Sequence, residues 1–167
     1  MLVLVMLCIT TTSLQAQRAD DITVYIFLSE TCPICQSVTL ELKSLYATYH
    51  PQGVDFIGLF PSPSLSTAET RDRFEKKYSI PFPLLADVDQ KMTAKFAASA
   101  TPQVFVVRTR DHSVLYKGRI DNSFESIGRR RQVVTQHYLQ KALENILQNK
   151  PADPMVTEPV GCFISKK

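Results

Sequence analysis

The stretch Ile22-Thr23-Val24-Tyr25-Ile26-Phe27-Leu28-Ser29-Glu30-Thr31-Cys32-Pro33-Ile34-Cys35 decides how the chain reads. Its first seven residues are almost all β-branched, aromatic or aliphatic, as in a strand buried on both faces. Ser29 to Cys32 form a short turn. Pro33 then suits the first helical position, where no backbone N–H is needed and φ is preset. From Ile34 the apolar residues Val38, Leu42, Leu45 and Tyr49 recur at helical spacing, and Pro51 and Gly53 end the run. Two cysteines therefore sit where a buried strand hands over to a helix. In that setting Cys-x-x-Cys points to thiol–disulfide chemistry. A zinc site needs about four ligands, and the chain has no second such pair. The helix start supplies unpaired N–H groups and the positive end of a dipole, both of which favour a thiolate. Cys32, at the cap, is expected to be the more exposed sulfur and the nucleophile. Cys35, one turn further in, is expected to close the disulfide and release a bound partner.

The remaining elements follow from periodicity and breakers. Val54–Phe60 reads as a second strand and Thr67–Tyr78 as a charged helix closed by Pro81 and Pro83. Leu84 and Leu85 suit a short extended piece, and Asp87–Phe96 a further helix. Gln103–Arg108 (QVFVVR) is a third strong strand. Asp111 and His112 mark a turn, and Ser113–Ile120 completes a hairpin. Arg131–Gln148 reads as the last helix, with Val134, Tyr138, Ala142, Ile146 and Leu147 on one side. After Lys150, Pro151, Pro154 and Pro159 announce an irregular tail. Strands alternating with helices, closed by a hairpin, predict an α/β fold with a mixed sheet covered on both faces.

Composition places bounds on function. At 167 residues, 44% hydrophobic and 21% charged, the chain suits one packed domain. A net charge of +3 is too small to suggest nucleic acid. Residues 1–16 carry no charge, and the apolar run Leu2–Ile9 is shorter than the ~20 residues that span a bilayer. Such a run fits a signal peptide cut after Ala16. The division expected is therefore 1–16 signal peptide, 20–149 folded domain and 150–167 tail. Loss of the leader removes Cys8 and leaves Cys32, Cys35 and Cys162, an odd number that suggests a reactive thiol in an exported protein.

With the strand, the Cys-x-x-Cys helix start and Thr101-Pro102 ahead of a strand, residues 22 to 149 resemble the thioredoxin-like superfamily. In that family the proline is cis and faces the disulfide. The resemblance thus assigns substrate binding to Thr101 and Pro102, with Thr101 offering backbone groups to a peptide. The run Tyr116 to Asn122, Arg129-Arg130-Arg131 and Gly161-Cys162-Phe163-Ile164 are similar to bacterial envelope redoxins. This is the branch of alkyl hydroperoxide reductase and thiol-specific antioxidant domains. The resemblance implies an exported thiol–disulfide oxidoreductase of the periplasm or cell envelope, acting as a monomer. Its partners would be protein thiols and disulfides, with an upstream redox protein and no nucleic acid; no organic cofactor and no metal is implied. Two departures stand out. Thr31 occupies the usual tryptophan position, and Ile26 the place of a buried acid, leaving Glu30 or a water to take the proton. In peroxiredoxins a proline stands where this chain has Tyr25, although Ser29 matches their Thr/Ser position.

Three features lie outside that core pattern. Cys162 is a candidate third redox thiol. The 12 residues from Lys150 could extend about 40 Å, beyond a domain radius of gyration of roughly 15 Å, and packing of Phe163 and Ile164 would help hold the tail. Arg129–Arg131 is either a solvated face or a docking patch for an acidic partner. The rival functions are a thiol peroxidase and a Cu(I)-binding module. The second would use Cys32 and Cys35 as soft ligands, with His112 or His137 as a further one.

Overall fold

The computed structural model describes residues 22–62 and 67–165. The expected signal peptide lies outside the described residues. Five strands make the main sheet: β1 (Ile22–Phe27), β2 (Val54–Phe60), β3 (Leu84–Ala86), β5 (Gln103–Arg108) and β6 (Ser113–Gly118). Their order is β3-β2-β1-β5-β6. β1 is central, parallel to β2 and antiparallel to β5, so the sheet is mixed as expected. Two small sheets complete the strands. One pairs β4 (Ala100–Thr101) with β9 (Cys162–Phe163), the other β7 (Phe124–Ser126) with β8 (Arg129–Arg130). The helices are α1 (Pro33–Ser37), α2 (Thr39–Tyr49), α3 (Ala68–Tyr78), α4 (Lys91–Phe96) and α5 (Tyr138–Leu147).

Side-chain alternation along the strands divides the core in two. Val24 and Ile26 of β1, with Val104 and Val106 of β5, point to one face. There they pack with Leu42 and Leu45 of α2, Phe74 of α3, and Leu139 and Leu143 of α5. Phe27, Leu59, Phe105 and Val107 point to the other face and meet Phe96 of α4. The Phe27, Phe96 and Phe105 rings lie 5.0–6.3 Å apart in pairs, a spacing favourable to aromatic contact. Helices thus cover both faces, α1, α2, α3 and α5 against one and the short α4 against the other.

Several element boundaries differ from the sequence reading. The helix after Cys32 is broken at Val38, where φ is −90° and ψ 0°. Ser37 Oγ donates to the Ile34 carbonyl at 2.8 Å and Thr39 Oγ1 to the Gln36 carbonyl at 2.9 Å, and such back-bonding bends helices. α4 begins four residues after Asp87. The Asp87 carboxylate, buried, accepts from Met92 N–H at 3.0 Å, Thr93 N–H at 2.7 Å and Thr93 Oγ1 at 2.7 Å, so it caps the helix from outside it. The expected helix from Arg131 starts only at Tyr138, because Asn122 Oδ1 accepts from the backbone N–H groups of Thr135 and Gln136, both at 3.0 Å, and holds that approach extended. The buried side of α5 is Leu139, Ala142 and Leu143; of the face read in the sequence, Ala142 is buried and Tyr138, Ile146 and Leu147 pack half-buried against the same core.

The Asp87 cap supports the turn that leads into Ala100–Thr101. Asp87→Ala is expected to lower stability by about 1–2 kcal/mol, the scale of a lost helix cap, with more if the freed N–H groups stay buried. A urea unfolding series with an unchanged slope and a lower midpoint is the expected result.

A cluster of three thiols beside a cis-proline

Cys32 and Cys35 flank the start of α1, placed by the end of central β1 on one side and by packing of Ile34 and Val38 on the other. Cys32 is the N-cap, with extended φ −85° and ψ 113°, and Pro33 takes the first helical position. The Thr101–Pro102 bond is cis. Cys32 Sγ lies 3.1 Å from the Thr101 carbonyl oxygen. Gln103, itself buried, holds the preceding loop: its Oε1 accepts from Ser99 N–H at 2.9 Å. The sequence carried no signal for that support, since a glutamine in a strand of apolar residues has no distinguishing spacing.

The third sulfur is also here. β9 pairs antiparallel with β4, setting Cys162 opposite Thr101 and Phe163 opposite Ala100. Cys162 Sγ lies 2.6 Å from Cys32 Sγ. The backbone of Thr101, expected to receive a bound peptide, is therefore engaged by the chain's own C-terminal segment. Residues 151–165 are irregular for most of their length, yet they are fastened at two places. Upstream, Lys117 N–H donates to Met155 O and Thr157 N–H to Lys117 O, both at 3.0 Å, and Thr157 Oγ1 meets Tyr116 Oη at 2.7 Å. Downstream, Ile164 N–H donates to Ser99 O at 3.0 Å and Gln90 Nε2 to Ser165 O at 2.7 Å.

Cys32, expected to be the more exposed of the pair, is itself covered. Its exposure is 1% and that of Cys35 is 0%, because Thr101 and Cys162 cover the sulfur that a helix cap would otherwise present. Phe163 departs from expectation as well. Only Ile164 joins the second core cluster, while Phe163, one residue earlier on a strand, points the other way and is 85% exposed.

The electrostatics separate the three thiols. Cys32 is lowered to about 5, first by hydrogen bonding from the Cys35 thiol; burial opposes this, and the Cys162 thiol adds to the lowering. The Cys35 backbone N–H, the helix-end donor that the sequence pointed to, contributes less than these. The Thr101 carbonyl can accept only from protonated Cys32 and so works the other way. Cys35 is raised well above the thiol range by burial, then by its neighbour Cys32. Burial likewise pushes Cys162 up to about 12. The shifts thus favour the thiolate at Cys32 and the thiol at its two neighbours.

The other named residues fall elsewhere. Ile26 is a core residue. Glu30 makes a two-pronged contact with Arg73, Nη2 to Oε2 at 2.9 Å, and the guanidinium holds its carboxyl below the ordinary range, so it is committed to that pair. His112 occupies the β5–β6 turn in a left-handed conformation, φ 58°. His137 meets Glu41 at 3.1 Å. Among the described residues, no group of three or more His, Cys, Asp or Glu side chains is arranged to hold a metal ion. Arg129 and Arg131 each reach Glu125 at 3.0 Å across the β7–β8 hairpin, so two of the three arginines pair within the chain.

A mixed five-stranded sheet with a dithiol at the first strand–helix junction, facing a cis-proline, defines a thioredoxin-like redoxin domain. Residues 6–116 match the AhpC/TSA family, and the chain belongs to it. No curated protein matches it in sequence. Among solved structures it is similar to an uncharacterized conserved protein from Geobacillus kaustophilus. The two share 27% identity with a TM-score of 0.77, over 90% of this chain and 79% of that one. A hypothetical protein from Sinorhizobium meliloti 1021 gives 23% identity and a TM-score of 0.77, covering 90% and 82%. A putative thiol:disulfide interchange protein DsbE from Chlorobium tepidum shares the fold at 14% identity and a TM-score of 0.55, covering 79% and 81%.

Proposed function

We propose that the protein is an exported thiol–disulfide oxidoreductase in which Cys32 attacks a protein disulfide and Cys35 resolves the mixed disulfide. The observation that carries this reading is the placement of the Cys32–Cys35 pair at the start of α1, with Cys32 Sγ 3.1 Å from the Thr101 carbonyl and Cys35 wholly buried behind it. In the first step the Cys32 thiolate bonds to one substrate sulfur and expels the other as a thiolate. In the second, Cys35 gives up its proton and attacks Cys32 Sγ, releasing the second substrate thiol. Two electrons pass from the dithiol to the substrate. The reverse sequence oxidises a substrate dithiol, so the reduction potential sets the direction. Thr101 and Pro102 line the groove where the substrate backbone docks. Partners are proteins carrying disulfides or dithiols, with an upstream redox protein to restore the starting state. Export to the periplasm or cell envelope rests on the uncharged apolar stretch at the N-terminus.

The family also includes peroxide-reducing proteins, and the test must separate the two chemistries. Reduced full-length protein is mixed with a disulfide-bonded protein such as insulin, and separately with hydrogen peroxide. In each case loss of free thiol and formation of product are followed. Stoichiometric disulfide reduction with slow peroxide consumption is the expected result. Rapid peroxide consumption with inert insulin would replace the oxidoreductase with a peroxidase.

A further inference from the structure

We propose that residues 160–163 are a resident occupant of the peptide-binding edge that the resemblance assigns to Thr101, with Cys162 in the substrate-cysteine position and able to pair with Cys32. The inference rests on the exchange reading above and specifies what the site accepts. Four observations carry it. The segment adds to β4 as an antiparallel strand, the way that extended peptides join a sheet edge. Its cysteine stands opposite Thr101, with its sulfur 2.6 Å from Cys32 Sγ, close to the ~2.05 Å of a disulfide bond. Gly161 is demanded by the groove: a Cβ there would lie 2.2 Å from the Thr101 carbonyl oxygen and 2.6 Å from its carbon. Val160, two residues before the cysteine, helps to wall a small pocket of mixed character with Ile34, Pro102, Arg119, Asp121 and Phe124. The groove therefore calls for glycine directly before the cysteine in an extended chain.

The chemistry needs no outside oxidant once exchange has formed the Cys32–Cys35 disulfide. Cys162, deprotonated, attacks Cys32 Sγ. The Cys32–Cys162 bond forms as the Cys32–Cys35 bond breaks, and Cys35 leaves as a thiolate that takes up the proton. One disulfide replaces another with no net electron transfer. The product is an internal counterpart of the mixed disulfide with substrate, and it holds the groove closed. Attack by Cys35 on Cys32 reverses the step and frees the strand, which an incoming peptide can then replace.

The test uses full-length protein carrying Cys35→Ser, which removes the competing thiol. The reduced variant is treated with glutathione disulfide and digested without reduction, and the peptides are identified by mass spectrometry. The expected product is a Cys32–Cys162 link in place of a glutathione adduct on Cys32. Adding Gly161→Ala, which keeps both thiols but lifts the strand from Thr101, should reverse that ratio. In the otherwise native reduced chain the same substitution should raise the rate of Cys32 alkylation by about tenfold or more, since a covered sulfur reacts only through local opening. As a free thiol, a synthetic peptide of residues 159–164 should open the Cys32–Cys35 disulfide of the oxidised Cys162→Ser protein, bonding to Cys32 and releasing Cys35, faster than the same peptide with alanine in place of glycine. If Cys32 takes only glutathione while Cys162 stays alkylatable, and the two peptides react alike, the groove inference is overturned, even where insulin reduction by Cys32 and Cys35 persists. Loss of insulin reduction in the wild-type chain, with the Cys32–Cys162 link still forming, would overturn the exchange reading and leave the groove standing.

Discussion

Cys32→Ser is expected to bring protein-disulfide exchange down to the uncatalysed background, with the fold intact. The hydroxyl keeps the size and the contact with the Thr101 carbonyl, now 3.1 Å from Cys32 Sγ. It cannot ionise near neutrality, however, and it cannot form a sulfur–sulfur bond. Cys35→Ser should behave differently. The nucleophile remains, so the first half of exchange proceeds and a mixed disulfide persists in place of turnover. Gel mobility without reductant, followed by peptide identification, separates the two variants: no adduct for Cys32→Ser, a stable adduct on Cys32 for Cys35→Ser. An adduct on Cys35 in the Cys32→Ser protein would reverse the two roles. Burial argues against that outcome, since Cys35 is wholly inaccessible and held protonated, whereas Cys32 needs only the strand at Cys162 to part from it.

The sequence carried the central architecture through strong local signals. β1 is legible because an all-apolar run cannot face water, and the Cys32–Pro33 junction because proline fixes the helix start. The mixed sheet with helices on both faces follows from the alternation of those elements. What failed to show was long-range. Asp87 reads as the first residue of a helix, but it caps that helix from the preceding turn. Arg131–His137 has helical composition, yet Asn122, well upstream, claims its backbone N–H groups. The cover over Cys32 was hidden for the same kind of reason. A helix cap is open by local geometry, and what covers it here is a segment 130 residues later in the chain. Reach alone allowed Cys162 to approach the pair. The register that sets it opposite Thr101 depends on contacts at Ser99, Gln90 and Thr157 that no local pattern encodes.

The cluster's electrostatics give a pH dependence with a definite sign. Thiolate absorbance in the ultraviolet, recorded on the reduced protein, should rise in a step centred near pH 5, against ~8.5 for a free cysteine. Only Cys32 ionises in that range, because Cys35 lies well above it and Cys162 near 12. Cys32→Ser should remove the step. The Cys35 thiol is the largest cause of the lowering, so Cys35→Ala should move the midpoint up, and further than Cys162→Ala does. The same ionisation links pH to the stability of the reduced form. Between about pH 5 and the ~8.5 of the unfolded chain, the unfolded state binds a proton that native Cys32 does not. Stability from Cys32 is therefore fully present above that upper value, and it is lost as pH falls through the folded midpoint. Cys35 and Cys162, whose values are raised, act in the opposite sense, and only as pH climbs past the unfolded thiol value; the window below it belongs to Cys32. Urea midpoints of the reduced protein should accordingly fall from pH 8 to pH 5 by more than those of Cys32→Ser, since both proteins share every other titrating group. Parallel pH profiles for the two proteins would show that Cys32 is protonated at neutral pH, and would remove the electrostatic basis for its role as nucleophile.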